Sequence, residues 1–345
     1  MKILLDDVPF NSNLYPFGTV KSMVHIRLGI LTIYEKWDWV FPGQVLVGSE
    51  CSDAPPVPGT YRKVPANWIP STGLLRKAAT DPSFDFHEGD GIILDAPWHI
   101  FEHNFWALGE DFALITANRL SAALSPTNHL IRPEHIFVEP GAKVSYSILN
   151  AEDGPIYIGK NTEIFEGSLI RGPFSLGEGS RVKMGAKIYG GTTIGPYCVA
   201  TGEIKNSILM SYSNKAHDGY LGDSVIGSWC NIGAGTSNSN LKNTGGMVKM
   251  WSKQQNCFVT AGYKCGLLMG DYSRCAINTS FNTGTVVGVS CNIFGNTFPS
   301  KYYKDFTWGN EKYIFEKVIT DIDNWKKMKG HHITAAEIRA LQEIY

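Results

Sequence analysis

Residues 158–200 read IGKNTEIFEGSLIRGPFSLGEGSRVKMGAKIYGGTTIGPYCVA. An aliphatic or small residue recurs at every sixth position: Ile158, Ile164, Ile170, Leu176, Val182, Ile188, Ile194 and Ala200. A helix repeats about every 3.6 residues and a half-buried strand about every 2, so neither produces this column. Four residues after a landmark stand Thr162, Ser168, Ser180, Ala186, Thr192 and Cys198, all small, with Phe174 as the exception. Three residues after come Asn161, Gly167, Gly179, Gly185 and Gly191, types that accept positive φ in a tight turn; Pro173 and Tyr197 break that column. Gly159, Gly177 and Gly195 each follow a landmark and lie 18 residues apart, so three hexads close one coil. A chain that turns three times per coil is a triangular prism of short parallel strands. Its landmarks point inward and stack, and it grows by about 4.8 Å per coil.

The period runs beyond this stretch. Val138 and Val144 are six apart, ahead of a two-residue offset at Asn150–Pro155, and Ile226–Ile232 and Val287–Ile293 repeat the spacing. Lys242–Asn256 and Gly262–Gly270 read as loops or less regular coils. The pattern predicts coils from about Val138 to about Ile293.

Both ends differ. Residues 1–125 are rich in Trp and Pro and carry no hexad register. Lys2–Leu5, Val45–Val47, Ile92–Leu94 and Ala113–Ile115 read as strands, Ile26–Phe41 and Ile100–Leu108 as helical, Asp53–Gly59 as a loop and Leu124–Arg132 as a linker. After residue 301, Glu311–Met328 and Thr334–Tyr345 have helical apolar spacing, and Thr334 with Glu337 forms a capping-box pattern. The chain therefore divides into a short α/β domain (1–125), a parallel β-helix (126–300) and a C-terminal helical extension (301–345) that ends or buttresses the prism.

Composition narrows the function classes. The chain has 345 residues, 43% hydrophobic and 18% charged, with a net charge of −1, which excludes a disordered chain and gives no reason to expect nucleic acid or an anionic membrane as a partner. No apolar run approaches the length of a spanning helix, and the start MKILLDDVPF does not read as a signal peptide. The seven Cys are scattered with no C-x-x-C, a pattern of reduced thiols in the cytoplasm, not of a disulfide frame or a zinc site.

Chemistry concentrates in residues 203–240, EIKNSILMSYSNKAHDGYLGDSVIGSWCNIGAGTSNSN. His217 lies beside Lys215 and Asp218. Glu203 and Lys205 precede it by 14 and 12 residues, Tyr220 follows by 3, Asn231 by 14 and Asn240 by 23. With 18-residue coils, such spacings bring groups to one region of the prism. One base, one carboxylate, one cation and several amide or phenol groups suit a polar, phosphorylated substrate. They do not suit a metal, and no G-x-S-x-G elbow or Walker loop is present.

These residues resemble a known family, the acetyltransferase domain of bifunctional N-acetylglucosamine-1-phosphate uridyltransferase/glucosamine-1-phosphate N-acetyltransferases, within the hexapeptide-repeat acyltransferases. The motifs are Glu203-Ile-Lys205-Asn206, Lys215-Ala-His217, Tyr220-Leu-Gly-Asp223, Asn231-Ile-Gly-Ala234-Gly-Thr236 and Asn240. The resemblance implies a left-handed parallel β-helix, acetyl-CoA as acyl donor and a homotrimer with sites between subunits. It implies His217 as general base, Glu203 as its orienting carboxylate, Lys205, Tyr220, Asn231 and Asn240 as sugar-phosphate ligands, and the Ala234 N–H as oxyanion donor.

The sequence also departs from that pattern. The family's phosphate-binding Arg is replaced in Tyr189-Gly-Gly-Thr192, leaving Lys183 or Lys187 as substitutes. Its later substrate Lys has Lys242 and Lys249 as candidates, and the acetyl-CoA groove after Met250 is unassigned. The run from Arg27 to Trp37, with Pro97-Trp98-His-Ile-Phe101 and Asn104, is similar to a short sugar-nucleotidyltransferase domain that lacks its Gly-rich nucleotide loop. Arg27 and Lys36 are its candidate phosphate ligands or else surface charges, with UTP and Mg²⁺ implied only where that domain is active. Three readings follow: N-acetylation of a hexosamine 1-phosphate, with or without nucleotidyl transfer to the UDP-sugar; a nucleotidyltransferase trimerised by its β-helix; and a non-catalytic sugar-nucleotide-binding scaffold.

Overall fold

The computed structural model describes residues 2–51, 59–81, 84, 91–295 and 298–345. Its centre is a parallel β-solenoid of about 10 turns. Every landmark of the six-residue column is buried, and the landmarks stack in register: Ile164 on Val182 on Ala200, Ile158 on Leu176 on Ile194, and Ile170 on Ile188. The prism interior is one continuous apolar core from Ile136 to Ile293.

Each coil visits three faces in turn. The first face stacks the strands Lys143–Val144, Glu163–Ile164, Arg181–Val182, Val199–Ala200, Asn214–Lys215, Asn231–Ile232, Arg274–Cys275 and Asn292–Ile293. The second carries His129–Ile131, Ile148–Asn150, Leu169–Arg171, Lys187–Ile188 and the first halves of Glu203–Leu209 and Tyr220–Ile226. The third carries the second halves of those two strands, among others. Coils begin at His129 and run to Thr307–Trp308, so they extend past both expected ends and take in part of the expected linker. Leu267–Met269, within a segment expected to be irregular, is an ordinary coil strand, and Val248–Ser252 pairs with Cys257–Gly262 as an antiparallel hairpin thrown out from the prism.

The hexad count slips where the chemistry begins. Arg181, Val199, Asn214 and Asn231 are in register, so successive coils take 18, 15 and 17 residues. Part of the shortening comes from the corner between the second and third faces. Asn206 and Asp223 each make this turn as a single residue, at φ +46° and +47°. Asn and Asp tolerate this left-handed conformation better than other side chains with a Cβ.

The front region packs a three-stranded parallel sheet, ordered Val45–Val47, Lys2–Asp6, Tyr61–Pro65, with helices α1 (Ile33–Val40), α2 (Thr72–Thr80), α3 (His99–Glu102) and α4 (Asn104–Thr116). Two expectations change here. Ala113–Ile115 is no strand: it is the end of α4, which buries Ala107, Leu108, Leu114 and Ile115 along one stripe. The helix expected over Ile26–Phe41 starts only at Ile33, because Thr32 and Glu35 close a capping box there. The expected loop Asp53–Gly59 lies, but for Gly59, outside the described residues. The front region's core continues onto the third face, where the outward column Ile208, Val225, Leu268 and Val286 is apolar and buried.

The C-terminal helices α5 (Phe315–Lys327) and α6 (Ala335–Ile344) lie along the corner between the third and first faces. That corner is lined by Tyr197, Tyr212 and Trp229, stacked at 5.0 and 4.2 Å. Lys329 caps the Tyr197 and Tyr212 carbonyls at 2.8 and 3.1 Å. The expected capping box of Thr334 and Glu337 is present.

Candidate active site

His217 stands exposed on the four-residue corner Ala216–Gly219 between the first and second faces. One coil earlier the same corner is only Thr201–Gly202. Gly202 lies against it so closely that a Cβ there would meet the Gly219 carbonyl at 2.7 Å and the His217 carbonyl at 3.1 Å. Two lysines hold the longer corner, Lys215 from inside the prism. Lys183 Nζ donates to the Ala216 carbonyl at 3.0 Å, and Lys215 Nζ donates to the His217 carbonyl. Lys215 occupies an inward landmark position, in register with Ala200, and is 1% exposed. Burial pushes its pKa down to about 8, against the pull of Asp218. Lys183, a candidate replacement for the family's phosphate Arg, is thereby committed to backbone; Lys187 remains on the outer second face, in register with Glu203.

The second face beyond His217 gathers most of the set. Glu203 and Tyr220 are in register on adjacent strands, as are Lys205 and Gly222. The Lys205 ammonium lies 5.9 Å from the Tyr189 ring. Tyr220 lies forward along its own strand, over Gly222. A Cβ on Gly222 would sit 2.2 Å from its hydroxyl, so glycine at 222 is what lets the ring lie there. The Tyr220 hydroxyl accepts from Asn240 Nδ2 at 3.1 Å. Burial, with the charges of Asp223 and Glu203, pushes its pKa up to about 12, which keeps it a neutral donor.

Asn231 does not join them on that face. It lies on the first face, in register with Asn214 and Arg274, and accepts from Asn214 Nδ2 at 3.5 Å. Ala234 follows it toward the corner. Its carbonyl accepts from Asn278 at 2.7 Å, while its own N–H meets no acceptor among the described residues. The candidates are thus divided between two faces that share the His217 corner. Further along the same corner column, Ala276–Ser280, Ile293–Gly295, Phe298 and Tyr303 line a cavity of about 380 Å³.

The two cations expected to bind a nucleotide are otherwise engaged. Lys36 is buried and paired with Asp111, also buried, whose other oxygen accepts from the Ile30 and Leu31 N–H groups at 2.7 and 2.9 Å. Burial pushes the Lys36 pKa down and the Asp111 charge opposes it. Arg27 donates to the Ile30 carbonyl and pairs with Glu35 at 3.2 Å. Lys36 is thereby closed off from a phosphate, while Arg27 lines a cavity with Glu35, Arg119 and Lys160. Among the described residues, no three His, Cys, Asp or Glu side chains group in a way that would hold a metal ion, and no helix is long and apolar enough to cross a membrane. All seven cysteines are unpaired.

Three groups escaped the sequence reading. Lys215 was hidden because the shortened coil moves it into the inward column. Asp223 was part of a motif without a role, and its carboxylate accepts from Asn206 at 2.7 Å and Asn240 at 2.5 Å. Glu102, on α3, packs beside these strands, and burial with the Asp223 charge pushes its pKa up to about 7. No sequence signal placed α3 against the prism.

The coils make this a hexapeptide-repeat protein, and the corner groups suit a polar, anionic substrate. Comparison with known proteins finds partial relatives. The bifunctional protein GlmU of Methanocaldococcus jannaschii is 33% identical over 118 residues, 34% of this chain and 28% of that protein. A bifunctional sugar-1-phosphate nucleotidylyltransferase/acetyltransferase of Sulfurisphaera tokodaii is 28% identical over 209 residues, 60% of this chain and 46% of its own. The chain therefore spans between about a quarter and a half of the length of these relatives. No family model matches the chain. A solved hexapeptide transferase family protein from Anaplasma phagocytophilum is 15% identical, covering 64% of this chain and 84% of its own, with a TM-score of 0.24.

Proposed function

We propose that this chain is an N-acetyltransferase of sugar-nucleotide biosynthesis that transfers acetyl from acetyl-CoA to the amine of a hexosamine 1-phosphate, glucosamine 1-phosphate foremost. One observation carries the reading. An exposed histidine stands on a braced corner, between a face bearing Glu203, Lys205, Tyr220 and Asn240 and a face bearing Asn231 and the open Ala234 N–H. His217 takes a proton from the sugar ammonium or attacking amine. The amine nitrogen attacks the thioester carbonyl carbon, the C–S bond breaks, and coenzyme A leaves as a thiol once protonated. The Ala234 N–H stabilises the oxyanion, and Glu203 favours the imidazolium. Lys205 and Tyr220 hold the phosphate. The cavity along Ala276–Ser280 and Phe294 continues the corner column and offers room for part of the acyl carrier.

The split of the set between two faces fits a homotrimer in which the first face of one prism meets the second face of the next. The exposed Ile148, Leu169 and Tyr189 on the second face support this. The cytoplasm, with its reduced thiols, is the matching compartment. Nucleotidyl transfer from UTP with Mg²⁺ would need cations other than the buried Lys36.

The experiment is release of free thiol from acetyl-CoA with glucosamine 1-phosphate. His217→Ala should lower kcat by about 10²–10⁴-fold with the KM for sugar phosphate nearly unchanged. Lys205→Ala should chiefly raise that KM. A folded His217→Ala protein that acetylates at the wild-type rate overturns the proposal. Light scattering that finds a monomer counts against the trimer.

A further inference from the structure

Asp223 has no part in the chemistry described so far, yet its carboxylate ties together two amides beside the candidate site. It is 5% exposed and forms a one-residue corner at φ +47°. Its two oxygens accept from different amides, Oδ1 from Asn206 Nδ2 at 2.7 Å and Oδ2 from Asn240 Nδ2 at 2.5 Å. An ionised carboxylate only accepts, so it forces both amides to turn their nitrogens toward it. The Asn240 nitrogen donates its second hydrogen to the Tyr220 hydroxyl oxygen at 3.1 Å. Both hydrogens of Asn240 are then used, and its carbonyl oxygen is left as an acceptor. Tyr220, whose oxygen already accepts, keeps its own hydrogen to donate.

We propose that Asp223 is a positioning residue that fixes the direction of the Asn240–Tyr220 hydrogen bond, so that the pair shows the substrate one acceptor and one donor. The inference rests on the acetyltransferase reading. It assigns the two ends of the substrate. A phosphate oxygen accepts, so it meets the Tyr220 hydroxyl, on the side where Lys205 stands in register with Gly222. An amine or hydroxyl donates, so it meets the Asn240 carbonyl. Without the carboxylate, Asn240 is free to rotate, Tyr220 can donate inward, and the phosphate loses its donor.

The test is calorimetric binding of glucosamine 1-phosphate and, separately, of acetyl-CoA to the full chain. Asp223→Asn keeps the shape and tolerates the left-handed backbone, but an amide at 223 accepts on one side only and no longer dictates both neighbours. Its Kd for glucosamine 1-phosphate should rise about tenfold or more, the effect of one charge-assisted hydrogen bond, with the Kd for acetyl-CoA unchanged. Should that variant not fold, Asp223→Gly removes the carboxylate at a φ that glycine adopts freely, and the same split is expected. An unchanged sugar-phosphate Kd in either folded variant overturns the inference while leaving the acetyltransferase reading intact. Equal weakening toward both ligands also overturns it, since that marks a general structural role. Failure of the wild-type protein to bind glucosamine 1-phosphate overturns the reading itself and the inference with it.

Discussion

Lys215→Met should make the protein more stable and less active, with a pH dependence that identifies the cause. Lys215 fills an inward landmark position next to Ala200, where the neighbouring columns hold aliphatic residues, and its ammonium donates to the His217 carbonyl. Burial lowers its pKa from 10.5 to about 8. A shift of that size corresponds to about 3 kcal/mol at about 1.4 kcal/mol per unit, and to about 2 kcal/mol once water at the open corner is allowed for. The sign follows from proton linkage. Between pH 8 and 10.5 the unfolded chain carries a proton on Lys215 that the folded chain has lost, so wild-type stability rises through that window and is lowest below it. Methionine fills the column without a charge. For 345 residues, about 2 kcal/mol moves Tm by about 3 °C. The Met variant should therefore melt about 3 °C above wild type at pH 7, and the gap should close by pH 10.5. With the tie to the His217 carbonyl gone, kcat should fall about tenfold while KM for the sugar phosphate holds. The measurement is scanning calorimetry of both proteins at pH 7, 9 and 10.5, with thiol-release kinetics on the same samples. A Tm gap that stays constant across that range would refute the buried-charge reasoning.

Other perturbations separate binding, pH response and fold. Gly222→Ala places a Cβ where the Tyr220 hydroxyl lies; the ring should swing aside, leaving Tm within about 2 °C and raising KM for the sugar phosphate roughly tenfold by steady-state kinetics. Glu102 has a folded-state pKa raised to about 7 from a usual 4.5, so the folded chain binds the extra proton between those values and loses stability as pH rises through them. Glu102→Gln should flatten that part of the Tm-against-pH curve relative to wild type. Asp111→Ala leaves the Lys36 ammonium buried without its partner and should destabilise the chain by about 3–5 kcal/mol in denaturant melts. Lys36→Met with Asp111→Asn, whose amide oxygen still accepts from the Ile30 and Leu31 N–H groups, should recover most of that loss.

The six-residue column from Ile158 to Ala200 was enough to define the prism, its inward side and its coil height. A solenoid has only nearest-neighbour contacts, so its geometry is written in local sequence. The capping box at Thr334 was readable for the same reason: its partners are three residues apart. The candidate site was half readable. Spacing gathered Glu203, Tyr220 and Asn240 correctly, because adjacent coils convert sequence distance into register. It could not see that Asn231 falls on the other face, since that depends on coils of 15 and 17 residues whose one-residue corners at Asn206 and Asp223 leave no periodic mark. The front region was the least readable part. Whether Lys36 is a surface ligand or a buried ion pair depends on Asp111, on a helix far along the chain, and Glu102 meets Asp223 only because α3 docks on the prism. Such long-range pairings are set by which apolar surfaces bury one another, here the third-face column of Ile208, Val225, Leu268 and Val286 against the front region. Only the tertiary structure decides that.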